Sequence, residues 1–416
     1  MGKSSAMYID PVNHNNNRTE FRLSDKGQFY LPNMCLLNIG ITATASDYNK
    51  ASGVLGIIKD IYLYDGKTEL SSTRGVETWL SWKNMNNTPS QNVNFNHSYN
   101  GNNIGIINEH DKKLEVPLPN KRCNTADNTT YQGSLMLADV FPFLAKLQNN
   151  AGVLPAKVMP NIRIVVEYNS DMRKVLGVDN HPLTNVVEPL LKVNVVDEEL
   201  GADIISNGMA LFSNPINWLE NEREEYVLND GGNDAGAQGV EVSNTKKVNG
   251  FNNKTVRNIL MIKQLNDISA TFNANAILGF GNNTSVGFCR SKYQADINGR
   301  CLLPRDGMVG DNERLGMLYD LYGDINAVPF GNSQQQSLLT QNDLFLGDSR
   351  NRMGQNDYVA FRVGEVVKDL QFTIKRTTLE NTGAYRPESL ATNVILYGEV
   401  AKQLVVEGGE YNIGYV

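Results

Sequence analysis

The sequence predicts an all-β chain built as two tandem eight-stranded jelly rolls with short helical insertions. Three observations carry this. Short runs of alternating or continuous apolar residues recur throughout, of which Ile162–Tyr168 is the clearest. Asn and the 36 Gly favour turns over long helices. The two halves also repeat one order of elements. Each has an early apolar strand pair, a long polar loop, a short helical patch, an alternating strand and a closing strand. The helical patches are LMLADVFPFL and ERLGMLYDLY, the alternating strands NIRIVVEY and LQFTIKR, and the closing strands EPLLKVNVV and VILYGEVAKQLVV. Many short strands with few helices favour sandwiches.

Taken in order, the chain opens on a polar, Asn-rich arm, Met1–Asn17, expected to be ordered only by a neighbour. Two strand candidates follow around a Lys26-Gly27 turn, with Leu36–Ile41 apolar enough for the middle of a sheet. Gly53–Tyr64 reads as a strand region, closed by an Asp65-Gly66 hairpin signal. Gly75–Trp82 is open between helix and strand, with Trp79 and Trp82 packed. Asn84–Ile107 is a long surface loop, and Leu114–Leu118 a short strand stopped by prolines.

From Leu135 to Leu147 the apolar residues recur at helical spacing, interrupted by Pro142, which predicts one or two short turns of helix. In the strand Ile162–Tyr168, Ile162, Ile164, Val166 and Tyr168 share one face, and Arg163, Val165 and Glu167 the other. Asn169–Pro182 is a loop and Glu188–Val196 a strand that closes the first half. A composition shift over residues 200–222 marks the boundary, giving an arm at 1–17, a first jelly roll at 18–205 and a second at 206–416.

In the second half a new strand starts at Tyr226–Leu228, and Asn229–Lys247 is a second polar loop. Val256–Leu265 is open between strand and helix. Ile277–Phe288 is Gly-rich and loop-like, Leu302–Leu321 carries the helical patch, and Ser333–Thr340 is polar. Val359–Val363 and Leu370–Ile374 are strands, and the end from Thr392 is one long strand or two short ones.

The charge balance argues against nucleic acid as the main partner. A net charge of -7 excludes a dominant basic face and leaves only a local patch open, so no specific nucleic-acid site is expected. The four cysteines, Cys35, Cys123, Cys289 and Cys301, form no CxxC pair and read as mostly buried thiols, suited to a reducing compartment. No apolar run reaches eighteen residues, so no transmembrane segment is expected. The start MGKSSAM lacks a signal-peptide apolar region, and Ala6 breaks the myristoylation motif.

No catalytic constellation emerges, and catalytic, cofactor-binding and metal residues are all expected to be none. His14, His97, His110 and His181 are scattered in polar loops without zinc spacing. LGFGNNTSVG matches a dinucleotide fingerprint only at Gly279 and Gly281, with Thr284 in place of the third glycine. GKSS at Gly2 lacks the rest of a phosphate loop. Asp230–Glu241 has the length of a calcium loop, but Gly232 occupies a ligand position and Ala235 replaces the turn glycine. Acidic pairs such as Glu198-Glu199 and Glu224-Glu225 read as solvated faces. Sequons such as Asn96-His97-Ser98 and Asn128-Thr129-Thr130 stand without a secretion signal. This absence, with a doubled β architecture, points to a structural protein and not an enzyme.

The segments LMLADVFPFLAKL and VLPAKVMPNIRIVVEYN resemble the late part of the first jelly roll in double jelly-roll major capsid proteins. Those of polinton-like viruses and virophages are nearest in character, within the lineage of adenovirus and large DNA viruses. RTEFRLSDKGQFYLPNMCLLNIGI and VILYGEVAKQLVVEGGEYNIGY resemble that family's first strand pair and final strand. The resemblance implies a homotrimeric, pseudo-hexagonal capsomer (a hexon) of an icosahedral double-stranded DNA virus. Such a protein is assembled inside the infected cell and resides in the virion. Its partners would be neighbouring capsomers and penton or minor capsid proteins, with no cofactor. Asn84–Ile107, Asn229–Lys247 and Gly323–Asn342 are the candidate outer-crown loops, and Met1–Asn17 would run beneath a neighbouring capsomer. Two other readings stand beside it. One is a β-sandwich viral attachment, penton or glycan-binding protein with exposed aromatics around a groove. The other is a jelly-roll glycoside hydrolase, whose paired acids the sequence does not locate.

Overall fold

The computed structural model of the chain describes residues 4–23, 29–43, 53–85, 106–107, 114–115, 129–156, 158–170, 185–199, 201–228, 241–265, 289–303, 317, 320–321, 358–378, 392–408 and 410–416. Its first half contains β1 (Ser4–Ile9), β2 (Asn13–His14), β3 (Arg18–Leu23), β4 (Phe29–Tyr30), β5 (Cys35–Ala43), β6 (Ile58–Asp65) and β7 (Thr68–Arg74). Helix α1 (Val76–Met85) follows, then β8 (Ile106–Ile107), β9 (Leu114–Glu115) and β10 (Thr129–Met136). Helix α2 (Pro142–Asn149), β11 (Leu154–Pro155), β12 (Ile162–Tyr168), β13 (Asn185–Val187) and β14 (Leu190–Val196) complete it. Helix α3 (Ala202–Leu211) leads to the second half: β15 (Ile216–Leu228), β16 (Glu241–Val248), β17 (Thr255–Leu265), β18 (Cys289–Ile297) and β19 (Arg300–Cys301). Then come β20 (Tyr358–Val366), β21 (Leu370–Thr378), β22 (Thr392–Glu407) and β23 (Glu410–Tyr415).

Each half is a sandwich with one strand order. In the first, one sheet pairs β1, β14, β5 and β10 in that order, and the facing sheet β3, β12, β6 and β7. In the second, the sheets run β15-β22-β17-β20 and β16-β21-β18-β19. Numbering the eight principal strands of each half, both give 1-8-3-6 facing 2-7-4-5. That is the jelly roll, in which first and last strands are neighbours. All the ladders are antiparallel. The first core gathers Phe21, Ile61, Leu63, Ile164, Val166 and Leu191, and the second Val256, Met261, Tyr293, Phe361, Phe372 and Leu396. Burying each large apolar side chain stabilises by about 1.5–3 kcal/mol, so each sandwich has its own source of stability.

Much of the element order agrees with the sequence reading. Ile162, Ile164, Val166 and Tyr168 all face the first core. Pro142 starts α2 at its first turn, where its missing N–H costs nothing, and Phe143, Leu144 and Leu147 are buried. Asp65-Gly66 does close a hairpin, with Gly66 at φ 58°. Val256–Leu265 resolves as strand, Gly75–Trp82 as mostly helix, and the end as one long strand followed by a short one.

Four expectations are corrected. Met1–Asn17 is not an arm: Ser4–Ile9 is the first strand of the first jelly roll, paired along its length with β14, because Met7 and Ile9 alternate onto the core. The strand expected at Tyr226 begins ten residues earlier, at Ile216. The charge that hid its first half comes from Glu220 and Glu222, which are engaged in hydrogen bonds and ion pairs. The end of the expected loop Asn229–Lys247 belongs instead to the edge strand β16, Glu241–Val248, whose exposed positions are polar. Gly53–Ile57 is a 3-10 turn, so the strand there begins at Ile58. The boundary expected between residues 205 and 206 falls inside α3. Of the helical patch in Leu302–Leu321, only Met317, Asp320 and Leu321 are described, as helix.

A tight approach inside the second sandwich gives a direct test. A Cβ added at Gly398 on β22 would lie 2.7 Å from the buried Phe251 ring. Overpacking of this kind costs about 1–3 kcal/mol. Gly398→Ala is expected to lower the midpoint of urea unfolding, and an unchanged midpoint would show that the ring yields freely.

Candidate assembly seam

A buried polar constellation lies where the two jelly rolls meet. Strand β15 is long enough to leave its own sandwich. Its first residues, Ile216 and Trp218, join the first jelly roll's core, as does Leu404 of β22. Trp218 packs on Phe143 of α2, with ring centroids 5.1 Å apart. Residues two apart on a strand share a face, so Glu220 follows Trp218 into the seam. Glu220 is 1% exposed.

The Glu220 carboxylate accepts from three donors. Trp218 Nε1 donates at 2.7 Å and the Ser72 backbone N–H at 2.8 Å, while Ser71 Oγ sits 2.9 and 3.0 Å from the two oxygens. Ser71 and Ser72 belong to β7, the edge of the first jelly roll's second sheet. A side chain of one sandwich therefore satisfies the backbone edge of the other, which an open edge needs. Burial pushes the Glu220 carboxyl above the usual carboxylate range, opposed by Lys402 and by the bonds from Ser72, Trp218 and Ser71. The folded chain thus holds this proton more tightly than the unfolded chain. That contribution is complete below the ordinary carboxylate range and is lost as pH rises through the raised value. The thermal midpoint is expected to fall across that rise, and Glu220→Gln to flatten the fall. Parallel pH profiles for the two proteins would refute it.

Two further contacts lock the seam. Tyr397 of β22 donates its hydroxyl to the Gly75 carbonyl at 3.0 Å and lies 5.5 Å from the Trp79 ring of α1. Gly75 has φ 63°, and a Cβ there would meet Arg223 at 2.9 Å, so the approach needs glycine. Its N–H donates to Asp60 Oδ1 at 2.8 Å. At the C-terminal end, β23 pairs with β22 and lays Tyr411 and Ile413 against the first core. Tyr411 donates its hydroxyl to Asp65 Oδ2 at 2.7 Å.

Beside the seam is a polar cleft of about 440 Å³ lined by Thr68, Arg74, Glu222, Lys254, Lys402 and Tyr415, among others. Its charges are engaged with one another. Lys254 Nζ is 2.6 Å from Glu222 Oε2 and 4.6 Å from the Tyr415 ring centroid; Lys402 is 3.9 Å from Glu222. Of the exposed aromatics expected around a groove, Tyr415 stands here, about half exposed, with Lys254 and Lys402 4.6 and 5.5 Å from its ring centroid.

Of the residues weighed as sites from sequence, only some fall among the described ones. His14 is half-buried, bridging Thr19 Oγ1 at 2.8 Å and the Val186 carbonyl at 3.1 Å, which is a structural role and not that of a solvated loop histidine. His97, His110, His181, Gly279, Gly281, Thr284 and residues 230–240 lie outside the described residues, as do most of the three expected crown loops. Among the described residues no group of three or more His, Cys, Asp and Glu could hold a metal, and no helix is long and apolar enough to cross a membrane. Cys35 is buried and Cys301 exposed. Glu225 is paired with Arg223 at 2.9 Å. The seam residues Trp218 and Glu220 went unnoticed in the sequence. The only signal was a tryptophan two residues from a glutamate at the start of a strand otherwise rich in charge.

Comparison with solved structures places this architecture. PBCV-1 VP54, as fitted into a reconstruction of the virophage Sputnik, matches with a TM-score of 0.56 at 9% identity, covering 100% of this chain and 98% of that one. The Sputnik virophage structure itself gives 0.53 at 11% identity, over 100% and 89%. The mavirus major capsid protein gives 0.51 at 8% identity, over 99% and 90%. No family model matches the sequence and no curated protein does. The class is therefore defined by fold: this chain is a double jelly roll. It shares that architecture, along its whole length, with PBCV-1 VP54 and the mavirus major capsid protein.

Proposed function

We propose that the chain is the major capsid subunit of an icosahedral double-stranded DNA virus, three copies forming a pseudo-hexagonal capsomer in the virion shell. The observation that carries this is the seam. Two sandwiches of identical strand order are fixed side by side by buried contacts, so one chain supplies two equivalent walls of a six-walled ring. The division of labour between the sandwiches is taken to fall in α3. The whole-length likeness in fold to capsid proteins supports the same reading. Neighbouring capsomers and penton or minor capsid proteins would be the partners.

A closed heterologous ring buries its interfaces without open growth. Native mass spectrometry of the purified protein is expected to give three copies of the 46.1 kDa chain. A stable monomer at micromolar concentration that binds a glycan would overturn the proposal in favour of an attachment protein.

A further inference from the structure

The in-chain seam has two halves, and each half has a counterpart elsewhere in the chain. On one side is β7, the fifth principal strand of the first jelly roll and the edge of its sheet. On the other is β15, the first principal strand of the second. By the shared strand order, the counterpart of β7 is β19 and the counterpart of β15 is β1. The correspondence extends to detail. Strand β7 follows β6 across a tight turn at Gly66 (φ 58°), and β19 follows β18 across a tight turn at Gly299 (φ 79°). Inside one chain, β7 lies against β15. Among the described residues, β1 has a ladder partner only in β14 and β19 only in β18. Both remain at the surface: Tyr8 is 56% exposed, Ser4, Ser5 and Ala6 are exposed, and so are Arg300 and Cys301.

We infer that β1 of one chain receives β19 of a second copy, repeating between chains the contact that β15 makes with β7 within one. The inference rests on the capsomer reading and deepens it by naming the surface through which copies join. The surface has the character such a role requires. A large aromatic stands on an edge strand whose other face, Met7 and Ile9, is committed to the core. An edge with open backbone groups is a template for pairing with another chain. The two halves of the contact lie on different parts of the molecule, so the joint is head-to-tail.

The native, exposed Cys301 supplies the test. Cysteine is placed singly at Ala6 or Tyr8 in the full chain, and a short bismaleimide is added. Covalent dimers and trimers are expected under denaturing electrophoresis, and Cys301→Ser should abolish them. In parallel, Tyr8→Glu is expected to weaken association at least about tenfold by native mass, with the circular dichroism spectrum unchanged. Two results overturn the inference while leaving the capsomer reading intact. One is a trimer by native mass with no Cys301-dependent cross-link at either position. The other is a cross-link that persists in Cys301→Ser, which would set β1 against a different surface. A protein that is monomeric by native mass before any substitution overturns the capsomer reading itself.

Discussion

Trp218→Ala is expected to lower the unfolding free energy by about 3–5 kcal/mol and to abolish assembly. Trp218 is 5% exposed, fills space against Phe143 of α2, and belongs to the first jelly roll's core while standing on a strand of the second. Its loss opens a cavity at the joint and removes the N–H that reaches Glu220 at 2.7 Å. A buried carboxylate short of a donor adds about 1–3 kcal/mol. The two costs share one network and will not simply add. The measurement is urea unfolding followed by tryptophan-independent far-ultraviolet dichroism, with native mass on the folded protein. A variant that unfolds at the parent's midpoint and still forms trimers would show that the seam is not what fixes the two sandwiches together. Phe143→Ala should resemble it, since the same ring contact is lost from the opposite side.

Removing the last strand, Glu410–Val416, is expected to have the second largest effect. Strand β23 takes the place beside the far end of β22 that β17 vacates, with pairs from Lys402↔Tyr415 to Glu407↔Glu410. Without it that ladder is lost, Val406 loses cover, and Asp65 loses the Tyr411 hydroxyl. The truncated chain is expected to stay folded in each sandwich but to aggregate through the uncovered edge. Hydrogen exchange should speed in β22 beyond Lys402 and in β7, while β12 and β21 keep their protection. Uniform protection across β22, with a soluble trimer, would contradict this role. Tyr411→Phe is the milder companion: it removes one hydrogen bond to a carboxylate, worth about 1.5–3 kcal/mol, and keeps the ring.

How far the sequence could be read depended on whether an element stood on its own core. Strand β12 was legible because Ile162, Ile164, Val166 and Tyr168 all face one core, and helix α2 because Phe143, Leu144 and Leu147 do. The repetition of element order through both halves revealed the doubled architecture. Illegible were an element shared between the two sandwiches and the elements at sheet edges. Strand β15 looks polar because Glu220 and Glu222 are engaged at the seam, where hydrogen bonds and ion pairs replace apolar burial. Strand β1 looks like a tail because only Met7 and Ile9 of its six residues touch the core. Strand β16 looks like a loop because its exposed positions, Ser243, Thr245 and Lys247, are polar and leave no apolar alternation to read. The seam pairs residues about 150 positions apart, Ser71 with Glu220, and more than 320 apart, Gly75 with Tyr397. Periodicity within a window says nothing about partners at such distances.

One chain is expected to supply two like walls of a six-walled capsomer. Electron-microscope class averages of the purified, unsubstituted protein, viewed end-on, test it most directly. Six lobes around a common axis, in particles of three chains, are expected. Isolated two-lobed particles, or rings whose lobe number is not twice the number of chains, would contradict it.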